Sequence, residues 1–426
     1  MTVPIPRRWA FWLMSGLLGV LMVAAGAPSP LYGRYQAAWG FSATTLTVVF
    51  AVYALSLLGA FLVAGRLSDH LGRKPVIVAA LLVQAVAMGC FVAAGSPAWL
   101  YAARIVQGIA TGIATGAVSA ALVDLAPPRS PQLAPLVNSA APTIGLAVGA
   151  LGTSLLVQYG PAPLRLVYWL LLGLLAAGLA GTLAIREPGQ RRPGALASLR
   201  PQAGVPRQAR RAFASCLPAL AAGWALGGFY LALAPSLAAE LLPSAGVVAG
   251  GTVIFLLTGV GGLASIAWRK LRPPAAMGGG SLVLAIGVAG TVLAIAAGSA
   301  AGLFLGTAVA GVGFGLTFTG VFKTLTALAP PAGRAALITS IYIVSYVAFS
   351  LPVIAAGVAV THAGLHVTSI VYGSAVAVLT AAVAVDSAVT SRRGRRGRPA
   401  PAPASARPAA TASASPRPSS GNERYR

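Results

Sequence analysis

Acid–base chemistry at neutral pH has few places to start in this chain. Its 426 residues include six carboxylates, Asp69, Asp124, Glu187, Glu240, Asp386 and Glu423, and three histidines, His70, His362 and His366. The acids are scattered, with no His-Glu-x-x-His element, no intramembrane pair of aspartates and no phosphate-binding loop. Metal-assisted hydrolysis and paired acid–base catalysis both need such groupings. The chain is therefore read as a non-enzyme, with no metal site and no cofactor. Two stretches carry the residues that remain of interest. Gly65-Arg66-Leu67-Ser68-Asp69-His70-Leu71-Gly72-Arg73-Lys74 sets one acid and two glycines among cations. Arg104-Ile105-Val106-Gln107-Gly108 puts a cation inside an apolar run. An arginine within a bilayer costs about 2.5–3.5 kcal/mol on insertion scales. Either a specific use or snorkelling toward the outer surface offsets that cost.

The elements that position these residues follow from composition. Hydrophobic residues make up 57% of the chain and charged residues 8%. A soluble domain carries about 25% charged residues, so lipid is the main solvent here. A helix crosses a bilayer with about 20 apolar residues. Such runs fall near 9–31, 43–64, 76–95, 98–123, 133–158, 164–185, 213–240, 245–267, 277–298, 302–326, 335–360 and 366–389. The expected fold is an all-α integral membrane protein with twelve transmembrane helices in two six-helix pseudo-repeats around a central cavity. Arg7 and Arg8 ahead of the first run resemble the start of a signal peptide. The run is long for a signal, and the repeat needs this helix.

With the N-terminus inside, 26 of the 30 cations fall on inner segments and two, Arg34 and Arg165, on outer ones. Arg104 and Lys323 lie within spans. Cations concentrate on the cytoplasmic side of inserted proteins. The net charge of +24 is thus an orientation signal and not a nucleic-acid footprint. The expected location is the cell membrane, multi-pass, with both termini cytoplasmic. Cys90 and Cys216 lie in apolar stretches, so no disulfide framework is expected.

The expected organisation is an N-terminal bundle over 1–188, a cytoplasmic linker over 189–211, a C-terminal bundle over 212–390 and a disordered Arg/Pro/Ala-rich tail over 391–426. The tail's arginines suit anionic lipid. The halves repeat each other: Leu125-Ala126-Pro127-Pro128 recurs as Leu328-Ala329-Pro330-Pro331, an offset of 203. Gly108 matches Gly311, Gly112 matches Gly315, and Gly59 matches Gly262 at that offset. Ala27-Pro28-Ser29 recurs as Ala234-Pro235-Ser236 at a slightly larger one. Parallel six-span repeats are the trace of a transporter whose halves rock about a central site.

The 65–74 segment resembles the signature loop of the major facilitator superfamily, in its drug:proton exporter branch. The resemblance implies a conformational latch made by Gly65, Asp69, Gly72, Arg73, Lys74 and Asp124. In it, Asp69 would sit against the N-terminus of span 11, near Gly333 to Ala336, and Arg73 would pair with Asp124. Both contacts are expected only when the halves meet on the cytoplasmic side. Asp69 aligns with Arg272 in the second half, so the latch is one-sided. The resemblance links Arg104 to energy coupling. Span 5, with Asn138 and Pro142, resembles the family's antiporter element, but Ala141-Pro142 replaces the Gly-Pro of that pattern. Packing explains its glycine stripe about as well.

Residues assigned to energy coupling or the substrate cavity are Arg104, Gln107, Asn138, Trp224, Tyr230, Thr319 and Tyr342. No carboxylate lies deep in any span, so coupling runs through Asp69, Asp124 or Glu240, or transport is uniport. The expected activity is secondary active transport by alternating access, as proton-linked export of small molecules by a monomer. A nutrient importer or uniporter of the same fold is the alternative. An intramembrane enzyme and a regulatory tail are weaker readings.

Overall fold

The computed structural model describes residues 5–189, 192–328 and 330–396. Ten long helices precede Leu328: α1 Arg7–Gly26, α2 Ala43–Ala64, α3 Arg73–Val92, α4 Pro97–Leu125, α5 Leu133–Tyr159, α6 Leu166–Ala184, α7 Arg210–Ala232, α8 Gly246–Ala267, α9 Pro273–Ala296 and α10 Ala300–Leu328. A further helical run, Pro331–Arg396, is interrupted at Gly364, where φ is 79° and ψ 164°. Its apolar part, Ala336–Thr390, has 55 residues. At 1.5 Å per residue that is roughly 80 Å, against about 30 Å of hydrocarbon. The run therefore crosses twice, as α11 before Gly364 and α12 after it. Eleven helices are long and apolar enough to cross a membrane among the described residues, and the split at Gly364 makes twelve crossings. Residues up to Ala388 form one compact unit. The helix continues through Arg396, past the expected start of the tail, and residues 397–426 lie outside the described ones.

Local chemistry accounts for the helix ends. Ser42 caps α2 by accepting from Thr45 N at 3.1 Å, which satisfies one of the unpaired N–H groups of the first turn. Pro97 and Pro273 start α4 and α9, where a missing N–H costs nothing. Two expected spans are broken. The first ends at Gly26 and resumes as a short helix at Tyr32–Trp39. The seventh ends at Ala232 and resumes at Ala234–Leu241. Both breaks fall at the repeated Ala-Pro-Ser, because proline supplies no N–H to the preceding turn.

The apolar flanks that face away from the protein suit lipid. Leu82 and Val86 on α3, Trp169, Leu170 and Leu174 on α6, Leu293 on α9 and Val378 on α12 are all exposed. Within each half, small residues let backbones touch, as in other membrane bundles. Gly108 and Gly112 of α4 meet the carbonyls of Tyr53 and Leu57 on α2. Gly311 and Gly315 of α10 meet those of Leu256 and Gly261 on α8. The offset of 203 is thus also a repeat of packing.

Between the halves, α5 lies along α8. Gly251 approaches Ser154, Gly259 approaches Ala147 and Gly262 approaches Thr143. Near the cation-poor end of this seam, Gln158 Oε1 accepts from Val248 N at 3.3 Å. That carboxamide occupies the first turn of α8, where N–H groups lack intrahelical partners.

The orientation gives a testable result. Single cysteines at Ala203 and at Ser96 should differ completely toward impermeant thiol reagents in intact cells. Ser96 should label and Ala203 should not, while native Cys90 and Cys216 stay unreactive. Labelling of Ala203 from outside would overturn the assignment of sides.

Candidate functional site

Three groups of side chains stand out, and they lie at different depths. The first is at the cation-rich ends of α2, α3, α4 and α6. Gly72 has φ 101° and ψ 154°, a conformation closed to residues with a Cβ, and it turns the chain into α3. Arg73, the first residue of α3, is aimed by that turn at two carboxylates. Its Nε donates to Asp124 Oδ2 at 2.9 Å and its Nη1 to Ser68 Oγ at 2.9 Å and to Asp69. Glu187 holds the other side of the same turn. Its carboxylate accepts from Arg73 N at 2.7 Å, Lys74 N at 3.1 Å and Gly189 N at 3.2 Å. An anion is favoured at a helix N-terminus. Lys74 Nζ donates to the carbonyls of Leu183, in the last turn of α6, and of Ile185 just beyond it. Sequence reasoning noted Glu187 but gave it no role.

The Arg73–Asp124 pair lies entirely within the first half. The expectation that it forms only when the halves meet is therefore corrected, since α3 and α4 belong to one bundle. Asp69 is held by Arg73, and among the described residues it makes no contact with the start of α11. The first turns of α11 are met by the linker: Gly204 N donates to Ala336 O at 3.3 Å and to Ser340 Oγ at 3.0 Å. The linker's other end is tied to the signature loop. Arg192 N donates to Asp69 O at 3.2 Å, and His70 Nδ1 lies 2.9 Å from Pro193 O.

The second group surrounds Arg104, which is 0% exposed. Snorkelling is thereby excluded for this arrangement. Pro28 has no N–H to return to Ala24 O at the end of α1, and Gln107 Nε2 donates there instead at 2.8 Å. Gln107 Oε1 then accepts from Arg104 Nη1 at 2.8 Å. Arg104 Nη1 also reaches Ala25 O at 3.3 Å, and Nε reaches Tyr32 Oη at 2.7 Å. The guanidinium lies over the rings of Tyr53 at 4.9 Å, Tyr32 at 5.4 Å and Phe91 at 5.9 Å. Its Nη2 is buried without an acceptor among the described residues. At the 203 offset, Thr307 stands in Arg104's place, so the buried charge is one-sided.

The third group is a cluster of rings where α2 meets α7, α10 and α11. Trp224 packs edge-on to Phe318 and Phe349 and tilted on Tyr346, at centroid distances of 5.9, 5.7 and 5.2 Å. Phe349 meets Phe50 at 5.0 Å and Tyr342 meets Phe61 at 5.2 Å, so α2 of the first half joins the cluster. Toward the cation-poor side the two halves touch directly. Thr44 Oγ1 donates to Gly357 O at 3.2 Å, and Thr47 packs on Gly357 itself.

Similarity to known proteins bears on these groups. Residues 11–353 match the family described as Major Facilitator Superfamily. The chain belongs to the major facilitator superfamily. That family is one of membrane transporters rather than enzymes. The multidrug resistance protein MdtL of Klebsiella pneumoniae (strain 342) is 27% identical over 41% of this chain and 45% of that protein. MdtL of Shewanella sp. (strain ANA-3) is 30% identical over 38% and 41%. The chain thus spans less than half the length of the curated relatives it matches. Among solved structures, a point mutant of the nucleoside transporter NupG superposes with a TM-score of 0.65 at 14% identity, covering 89% of this chain and 99% of that one. A point mutant of the peptide transporter POT gives 0.72 at 14%, over 91% and 94%. At these identities the structures show the fold.

In this major facilitator chain the seven residues assigned to coupling or the cavity do not share one site. Arg104 and Gln107 form the second group, and Trp224 and Tyr342 belong to the third. Tyr230 lies inside the second half, its Oη 2.9 Å from Thr307 Oγ1. Asn138 ties α5 to α4 through Ser119 O at 3.5 Å. Thr319 is half-buried on α10. Glu240 lies beyond the end of α7, and burial raises its carboxyl above the usual range while His366 pulls it back.

Proposed function

We propose that the protein exports small molecules from the cell in exchange for protons, by alternating access between two six-helix halves. Its place is the cell membrane, with both termini cytoplasmic. Similarity to two multidrug resistance proteins supports export. The observation that carries the reading is the ring cluster shared by the halves, next to a seam closed on the cation-poor side by Thr44 and Gly357. Small molecules would meet the rings as the seam opens and closes. The signature loop would act at the opposite end. When the linker leaves the first turns of α11, Asp69 can exchange Arg73 for the N–H groups that lack intrahelical partners at that helix start. Glu187 and Asp124 keep Arg73 in place meanwhile. A contact made in one state alone shifts the equilibrium by its own free energy.

Uniport is the second reading, favoured because no carboxylate lies deep in any span. Proteoliposomes separate the two. A pH gradient should drive accumulation of a fluorescent aromatic probe at least tenfold above vesicles whose gradient an ionophore has collapsed. Equal accumulation in both would establish uniport. In the same assay Asp69→Asn should slow turnover about tenfold, with probe affinity unchanged. A helix-terminus contact is worth up to about 2 kcal/mol, enough for that loss. Wild-type turnover would leave the loop a topology signal only.

A further inference from the structure

We infer that the ring cluster around Trp224 binds uncharged, planar aromatic molecules that carry a hydrogen-bond acceptor, and rejects cations of the same shape. The inference rests on the transport reading above and names its substrate class.

Three observations carry it. Trp224 Nε1 is a buried donor with no acceptor among the described residues. A buried donor left unpaired is costly, and a ligand carbonyl or ring nitrogen would satisfy it. The walls are rings set at steep angles, Phe318 at 69° and Phe349 at 75° to the indole. Beside Trp224, α7 presents bare backbone at Gly223 and Gly227 toward ring atoms of Phe314 on α10 and of Phe349 on α11. These rings stand within van der Waals range of that backbone, so a ligand enters only as the rings part, and a flat one needs the least parting.

Charge supplies the third observation. Rings alone attract a cation, and exporters that select cations would add a carboxylate. Here Asp124 and Asp386 lie near one end of the bundle and Glu240 near the other. A fixed positive charge adjoins the cluster: Arg104 Cζ lies 4.9 Å from the ring of Tyr53 on α2, the helix that brings Phe50 and Phe61 to these rings. Its field opposes a cation among these rings, and burial weakens the screening that would blunt it. The neutral acceptor gains the indole hydrogen bond and meets no such opposition.

N-Methylacridone and N-methylacridinium share one planar skeleton; the first is neutral with a carbonyl, the second a fixed cation without an acceptor. Both fluoresce and can be titrated against the full chain in lipid nanodiscs, with empty discs subtracted. N-Methylacridone should bind at least tenfold more tightly than N-methylacridinium. Trp224→Phe, which keeps a ring and removes the donor, should weaken N-methylacridone about fivefold, equivalent to about 1 kcal/mol. It should change N-methylacridinium less than twofold. Equal or tighter binding of the cation overturns the inference, as does unchanged N-methylacridone binding by a folded Trp224→Phe protein. If that variant does not fold, the ratio of the two probes on the wild type decides. Binding needs no gradient, so a failure here is distinct from a failure of proton-driven transport.

Discussion

Arg104→Ala should lower transport at least a hundredfold, and Arg104→Lys at least tenfold, at equal amounts of reconstituted protein. The guanidinium serves Tyr32 Oη, Ala25 O and Gln107 Oε1 at once. Alanine leaves all three acceptors buried and unpaired, at about 1–3 kcal/mol each, so part of its effect will appear as lower stability. Lysine is the sharper test because it keeps the charge. A single ammonium on a flexible stem cannot hold three acceptors in the fixed directions that a planar fork reaches. The end of α1 and the rings of Tyr32 and Tyr53 would lose their common anchor. Membrane abundance of Arg104→Lys should stay within about twofold of wild type. Initial rates in proteoliposomes check the result, and a lysine variant at the wild-type rate would reduce Arg104 to a packing residue.

Gly357→Ala should open the cation-poor side. A Cβ at this position would lie 2.8 Å from both Cβ and Cγ2 of Thr47, and nearer still to Oγ1. The contact is made between halves, so the strain exists only while that side is sealed. Overpacking of this kind costs about 1–3 kcal/mol. A cost borne by one state shifts the population ratio by about fivefold to about 150-fold toward the other. Spin labels at the ends of α2 and α11 near Thr44 and Gly357 should report longer distances in the variant. Thr47→Ala removes two of the three clashing atoms, and the double variant should recover part of the wild-type distribution. An unchanged distribution in Gly357→Ala would show that the seam does not need backbone contact to close.

Most of the fold was legible because a bilayer leaves few choices. Apolar run length and cation placement depend on lipid chemistry alone, and they located α2 to α6 and α8 to α10 within a few residues. The breaks after α1 and α7 were also written in the sequence, as the repeated Ala-Pro-Ser, but read only as evidence of duplication. The site was less legible. Arg73 and Asp124 are 51 residues apart and were paired only through family resemblance. Tyr342, Tyr346 and Phe349 stand at steps of four and three, one face of a helix, yet only Tyr342 was named. Glu187 had no signal, since three backbone N–H groups recruit it and backbone groups leave no mark in a sequence. Tyr230 and Thr319 were chosen for polarity, which does not tell a cavity wall from the inside of a bundle.

The two seams between the halves differ in what touches what, and the difference is mechanical. Along α5 and α8, glycines admit direct approach of neighbouring atoms at Ser154, Ala147 and Thr143. Such a joint has no slack and tolerates rotation better than sliding. Along α2 and α11 the contacts are rings on rings and two threonines on one glycine. Those surfaces can part and re-seat without breaking a helix. The first seam is an axle and the second a pair of jaws. Stroke length at the jaws is then set by the diameter of the bundle, so substitutions that loosen the axle should blur where the jaws stop before they slow how fast they move.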